Sequence, residues 1–228
     1  MSEQTHMLIL GRQGSGKGTQ SARIAAALGI THISTGDLFR KEVARKTQLG
    51  MRVGDYLERG ALVPDELVVD VVMNQTADLG GWILDGFPRT MAQGQALFDA
   101  LGDDAVDLAI ELDVPTHQVI SRLSMRRVCD GCGAISSVPS NEEDIIRLCN
   151  ICGGNIVRRQ DDTVEAIQSR LSSYDSLTGP LLIWLDSLGL LATIDGKGTA
   201  DEVFQKSLSV IADRLLLSVE AMDVPTSS

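Results

Sequence analysis

The chain has 228 residues, with 20 Lys plus Arg against 31 Asp plus Glu, a formal net charge of −11 that argues against generic coating of nucleic acid. Its 43% hydrophobic and 22% charged residues are ordinary globular composition rather than disorder. No run of about 18 apolar residues is present to span a bilayer, and Met1-Ser2-Glu3-Gln4 lacks the basic start and apolar stretch of a signal peptide, so a cytoplasmic protein with no membrane partner is expected.

With aromatics at only 4%, a core must come from Leu, Ile, Val and Ala, which suits helices packed on a buried parallel sheet. Apolar runs of strand length occur at 7–10, 82–84, 108–112 and 191–194, with a weaker fifth at 31–33. Between them lie helical patterns: 19–28, stopped by Gly29, and 65–79, entered after Pro64 and stopped at Gly80-Gly81. The alternation predicts an α/β fold with a five-stranded parallel sheet flanked by helices. Two segments interrupt it. Residues 34–63 are helical in composition and begin Ser34-Thr35-Gly36-Asp37, whereas residues 126–163 have no long helical pattern and hold all four cysteines. The expected division is a core of 1–33, 64–125 and 164–228 carrying these two insertions, with a frayed tail from about Met222.

Gly11-Arg12-Gln13-Gly14-Ser15-Gly16-Lys17-Gly18-Thr19 follows the first strand and opens the first helix, the order a phosphate cradle needs. Glycines let backbone N–H groups converge on phosphate oxygens, the helix N-terminus adds partial positive charge, and Lys17 supplies a mobile ammonium. A strict Walker pattern wants Ser or Thr directly after the lysine. Gly18 stands there, and the hydroxyl arrives one residue later as Thr19.

Cys129-x2-Cys132 and Cys149-x2-Cys152 are two pairs separated by 16 residues, the spacing of a four-thiolate site. Gly133 and Gly153 follow the pairs and permit the tight turns of a knuckle. A segment of about 38 residues is too small for a sufficient core of its own and needs a metal or disulfide staple. Structural disulfides are the competing reading, disfavoured without an export signal. Thiolates favour Zn²⁺, while Fe²⁺ or Co²⁺ also suit a tetrahedral sulfur set. Four protein ligands leave no open position for catalysis, so the ion's role is structural. Arg122 and Arg126 are four apart after Pro115, a spacing that predicts one helix face.

Several motifs in register give the chain a family resemblance. Gly16-Lys17-Gly18-Thr19, Ser34-Thr35-Gly36-Asp37-Leu38-Phe39-Arg40, Asp85-Gly86-Phe87-Pro88-Arg89-Thr90 with Gln93, Arg122 with Arg126, Arg159-Gln160-Asp161-Asp162 and Arg170-Leu171 together resemble the adenylate kinases, from Met7 to about Leu215. The cysteines resemble the metal-bearing, long-lid type. The resemblance implies a P-loop core, a helical AMP-binding insertion at 34–63 and a lid at 126–163. It implies reversible phosphoryl transfer from MgATP to AMP, giving two ADP, by direct in-line displacement.

Residue by residue, the resemblance implies that Gly14, Ser15, Gly16, Lys17, Gly18 and Thr19 surround the ATP phosphates. Arg122, Ile135, Ser136 and Gly198 are implied as further ATP neighbours, with Arg122 also against the adenine. Thr35, Arg40, Ala61, Val63, Gly86, Arg89 and Gln93 are implied for AMP: Arg40 and Arg89 on its phosphate, Gln93 on the adenine edge. Lys17, Arg89, Arg126, Arg159 and Arg170 are implied to act in catalysis, with Arg159 and Arg170 also touching AMP. Asp85 would orient Mg²⁺ through water. Asp37, Asp161 and Asp162 serve as helix caps or as partners that orient arginines. The sequence departs from the family's usual pattern at Gln13, where proline is commoner, at Ser136, where a lid tyrosine is common, and at Gly198, where only a backbone carbonyl is needed.

Two other functions compete. One is a kinase for UMP or CMP, against which Thr35, Gln93 and the long lid favour AMP. The other is an ATP-dependent nucleic-acid-binding protein reading through the cysteine ribbon, but residues 126–163 hold five arginines against six acidic residues and lack a basic stripe. A monomer acting on ATP, AMP and ADP, without nucleic acid, is expected.

Overall fold

The computed structural model describes residues 5–102, 105–138, 147–159 and 161–216. The tail predicted to fray from Met222 lies outside these residues, as do Gln160 and the acidic run Glu142, Glu143 and Asp144.

The sheet is parallel, in the order β2 (Thr31–Ser34), β3 (Trp82–Asp85), β1 (His6–Leu10), β4 (Leu108–Asp113), β8 (Leu191–Asp195). The weak fifth strand is therefore real, and forms an edge. Strand periodicity divides the core in two. Leu8, Leu10, Trp82, Leu84 and Ala109 point to one face, where Val68 and Val72 of α4 (Asp65–Thr76), Leu97 of α5 (Met91–Leu101) and Leu181 and Leu185 of α8 (Gly179–Ser187) cover them. Met7, Ile9, Ile83, Leu108 and Ile110 point to the other, under Ile24 and Leu28 of α1 (Lys17–Leu28) and Val203, Phe204 and Leu208 of α9 (Ala200–Arg214). Both faces are dry, so the strands read as continuous apolar runs rather than alternating ones.

The helix predicted at 19–28 begins two residues earlier, at Lys17, and the one predicted to reach 79 ends at Thr76. Between β2 and α4 lie two helices, α2 (Thr35–Ala44) and α3 (Gln48–Glu58), which match the helical composition of 34–63. Ser34 Oγ accepts from Asp37 N–H and caps α2, while Thr47 Oγ1 accepts from Gly50 N–H and caps α3.

One expectation fails. Arg122 lies on α6 (Thr116–Met125), but Arg126 has φ −67° and ψ 132° and begins β5 (Arg126–Cys129). The two arginines do not share a helix face, because β5 pairs antiparallel with β6 (Ile135–Ser137) and β7 (Ile156–Val157), which pulls Arg126 into an extended backbone. The remaining helix before β8 is α7 (Val164–Ser173), continued by a π-helical turn, Tyr174–Thr178, into α8.

Candidate active site

The strand order changes direction on either side of β1, so the loops leaving the carboxyl ends of β1, β3 and β4 open a crevice between them. A cavity of about 460 Å³ fills it. Its wall includes Gly14, Gly16, Lys17, Gly18 and Thr19 after β1, Asp85, Gly86 and Arg89 after β3, and Arg122 from α6. Arg40 and Ala61 come from residues 34–63, and Arg126, Ile135, Ser136 and Arg159 from residues 126–163, with Arg170 from α7. Thus sixteen predicted site residues from distant stretches meet in one place. Ser15, Thr35, Val63, Gln93 and Gly198 are not in that wall.

The phosphate loop is shaped by close approach. Gly14 has φ +85°, and a Cβ there would lie 2.8 Å from Leu123 Cγ and 3.0 Å from Val119 O, so α6 can pack on the loop only because the side chain is missing. Lys17 Nζ donates to Gly11 O at 2.6 Å and Arg12 O at 2.9 Å. Burial brings its pKa down to about 8; Asp85 works against the fall, and Arg89 and Arg126 add to it.

The cations are dense. Arg89 is brought down to about 10, first by burial and then by Arg170 and Arg40, with Asp85 opposing. Arg126 and Arg40 are likewise lowered, mainly by burial, and Arg159 repels both. Within the protein two carboxylates hold the group together. Asp161 accepts from Arg159 through two bonds of 2.9 Å and from Arg170 Nη2 at 2.8 Å, and lies 3.7 Å from Arg40. Asp162 accepts from Arg126 Nε at 2.8 Å and makes a second, shorter bond with Arg126 Nη2. Burial opposes ionisation of Asp161, but these guanidinium contacts hold it well below the usual carboxylate range. Asp37 pairs with Arg40. The acids are therefore charge partners; the helix cap near Asp37 is Ser34, and that near Asp161 and Asp162 is Thr163.

The five predicted residues outside the wall have other partners. Gln93 is buried, accepts from Arg89 N–H and donates to Asp65 Oδ1, each at 2.7 Å. Thr35 Oγ1 lies 3.0 Å from Gly86 O, tying α2 to the turn after β3. Ser15 Oγ is buried with no hydrogen-bond partner among the described residues. Val63 is in the core. Gly198 packs near Glu202, just past Gly196, whose carbonyl accepts from Arg122 Nη2 at 3.1 Å. The wall also includes Tyr174 and Thr178 of the π-helical turn, which no motif announces. Thr178 Oγ1 donates to Arg89 O at 2.8 Å, and Tyr174 hydroxyl to Glu111 Oε1 at 2.9 Å.

Cys129, Cys132, Cys149 and Cys152 cluster with all sulfurs within 4.8 Å and form no disulfide. The Cys129–Cys152 and Cys132–Cys149 separations are 3.4 and 3.6 Å, near the ~3.8 Å edge of a tetrahedron with metal–sulfur bonds of about 2.3 Å. Backbone N–H groups of Gly131 and Ile151 point at Cys129 and Cys149 sulfurs, and Gly133 and Gly153 turn with φ +76° and +73°. Crowding divides the thiols: the Cys132 backbone N–H helps bring Cys129 down to about 7, whereas Cys132, despite the Ala134 N–H, is pushed up to about 12 by contacts with Cys152, Cys149 and Cys129. A dication removes that conflict by accepting all four thiolates. The set fits a structural metal ion.

The family model described as adenylate kinase matches residues 9–189. A protein named adenylate kinase from Lachnospira eligens is 41% identical over 210 residues, covering 90% of this chain and 99% of its own length. Namesakes from Clostridium botulinum, strain Eklund 17B, at 40% over 213 residues (91% of this chain, 99% of theirs) and Carboxydothermus hydrogenoformans, at 41% over 203 residues (87% and 95%), are similarly close. A match of this length, on a chain whose phosphate loop and arginines meet in one crevice, establishes that the protein belongs to the adenylate kinase family.

Proposed function

We propose that the chain transfers the terminal phosphoryl group of ATP to AMP, giving two ADP, with the donor phosphates on residues 14–19 and the acceptor between Arg40 and Arg89. The observation that carries this is the convergence of Lys17, Arg40, Arg89, Arg122, Arg126, Arg159 and Arg170 on one cavity. Phosphoryl transfer spreads negative charge over equatorial oxygens and needs little covalent help, so a dense, buried set of cations is the catalyst it requires. Burial, and after it the neighbouring arginines, disfavour the charged forms of Lys17 and Arg89, so a bound anion is stabilising there. Two phosphate chains supply the negative charge, and guanidinium forks match the oxygens bidentately.

In this reading Lys17 follows the transferred group. Arg126, Arg159 and Arg170, held by Asp161 and Asp162, contact phosphates of both nucleotides, while Arg122, anchored on Ser15 O at 3.3 Å and on Gly196 O, lies against the donor adenine near Gly198. Ile135 and Ser136 border the donor. Ala61, Val63, Thr35 and Gly86 shape the acceptor pocket, with Gln93 on its base; Gln93 positions Arg89 through the backbone N–H it already accepts. Neutralisation of charge on the phosphates is what Mg²⁺ would supply here. The Asp85 carboxylate at the end of β3, its side chain 13% exposed, is the residue suited to orient that ion through water. No base is required, because the acceptor phosphate is largely dianionic near neutrality. Residues 34–63 and 126–163 serve as covers that close over AMP and ATP to exclude water, which would otherwise take the phosphoryl group. Zn²⁺ on the four cysteines would staple the larger cover, and the protein works as a cytoplasmic monomer.

A coupled assay of ADP formation with ATP and AMP, UMP or CMP in turn tests the assignment. AMP should be the fastest acceptor; faster turnover with UMP or CMP would reassign the substrate.

A further inference from the structure

Arg12 and Gln13 are the two long side chains of the phosphate loop, and both reach far along the chain. Gln13 Nε2 donates to Asp162 Oδ1 at 3.1 Å, across 149 positions of sequence. The same oxygen accepts from Arg126 Nη2, and Arg170 Nη1 stands 3.8 Å from it. Asp162 is 1% exposed, so Gln13 is the route by which the phosphate loop grips this buried carboxylate. Gln13 Oε1 is buried and makes no hydrogen bond among the described residues, so within them the donor end is the side chain's polar attachment. On the far side of α7, Arg12 Nη2 donates to Asp175 Oδ1 at 2.9 Å, and its guanidinium lies 5.2 Å from the centre of the Tyr174 ring. The loop is thus fastened on both sides of the helix that follows the cysteine segment.

We propose that Gln13 is a positioning residue: its amide latches Asp162 to the phosphate loop and so holds Arg126 over the donor phosphates while the cover is closed. This rests on the phosphoryl-transfer reading above. Asp162 and Arg126 form a tight pair that would move as one unit with the cover. The Gln13 amide fixes that unit to the loop that carries the nucleotide. A neutral donor suits the task, because it binds a carboxylate without competing for the phosphates as a cation would. A proline at this position has no side-chain donor and cannot make the bond.

The test compares wild type with Gln13→Met, which keeps length without a donor, and Gln13→Ala. Dissociation of a fluorescent, non-hydrolysable ATP analogue is followed by stopped flow, alongside steady-state kinetics. Loss of one hydrogen bond to a charged group should speed dissociation and raise KM for ATP by about tenfold. KM for AMP should move by less than about twofold, and adding Gln13→Met to Asp162→Asn should change dissociation by less than about twofold, because the two act as a unit. Unchanged dissociation, effects that add independently, or equal losses toward both nucleotides with a lowered melting temperature would overturn the latch. A wild-type protein that formed no ADP from ATP and AMP would instead sink the catalytic reading, with the dissociation arm still reporting on Gln13.

Discussion

Lys17 holds its proton against a penalty that comes mostly from burial, and this gives activity and stability opposite alkaline responses. Because its folded pKa, about 8, lies below the ordinary 10.5, the cost of a buried ammonium is complete below pH 8 and is relieved as pH rises toward 10.5. The stability advantage of Lys17→Met over wild type, read from denaturant midpoints, should therefore shrink across that interval. Meanwhile kcat/KM for ATP should fall as pH passes about 8, since the free enzyme loses the cation. Bound phosphates raise the lysine's pKa, so kcat should hold to higher pH. At this scale the sequence was informative about identity and poor about commitment. Lys17, Arg89 and Arg126 are named by motif, yet that Gln93 is engaged at both ends, or that Gln13 finds Asp162, depends on contacts 28 and 149 positions apart.

The cysteine segment shows what an element requires when it has too little core. Cys129, Cys149 and Val138 are buried, but Ile135, Leu148, Ile151 and Val157 are exposed, so among the described residues three short strands bury little apolar surface. Four thiolates on a dication would replace that missing core. A chelator, or Cys129→Ser, should lower the melting temperature and release about one equivalent of metal per chain, with elemental analysis of the untreated protein naming the ion. Circular dichroism of the parallel sheet should survive until a separate, higher transition; a single coincident transition would count against an independently stapled cover. CxxC spacing made this legible beforehand. The fate of Arg126 was not, because helical spacing to Arg122 continues across a boundary that strand pairing with Ser137 sets.

Over the whole molecule the acid pair Asp161 and Asp162 joins pieces that the chain keeps apart: Arg40 on α2, Arg126 on β5, Arg159 after β7 and Arg170 on α7. Asp161 ionises more easily folded than unfolded, so its stabilisation is fully present above the ordinary carboxylate value of 3.8 and disappears as pH falls below it. Acid titration of the unfolding midpoint should show wild type more stable than Asp161→Asn at neutrality, with the gap closing below pH 3.8. A gap that persisted in acid would mean the carboxylate's charge is not what binds the pieces. The α/β class, four clear strands, the phosphate loop, the thiolate pairs and most of the charged site residues were legible in the chain, because periodicity, glycine placement and ligand spacing are local. Only the folded molecule reveals that β2 lies at the sheet edge beside β3, that Tyr174 and Thr178 enter the cavity wall, and which carboxylate holds which arginine. Those outcomes depend on side chains from remote segments sharing one desolvated space, where the distance between charges sets their energy and separation along the chain does not.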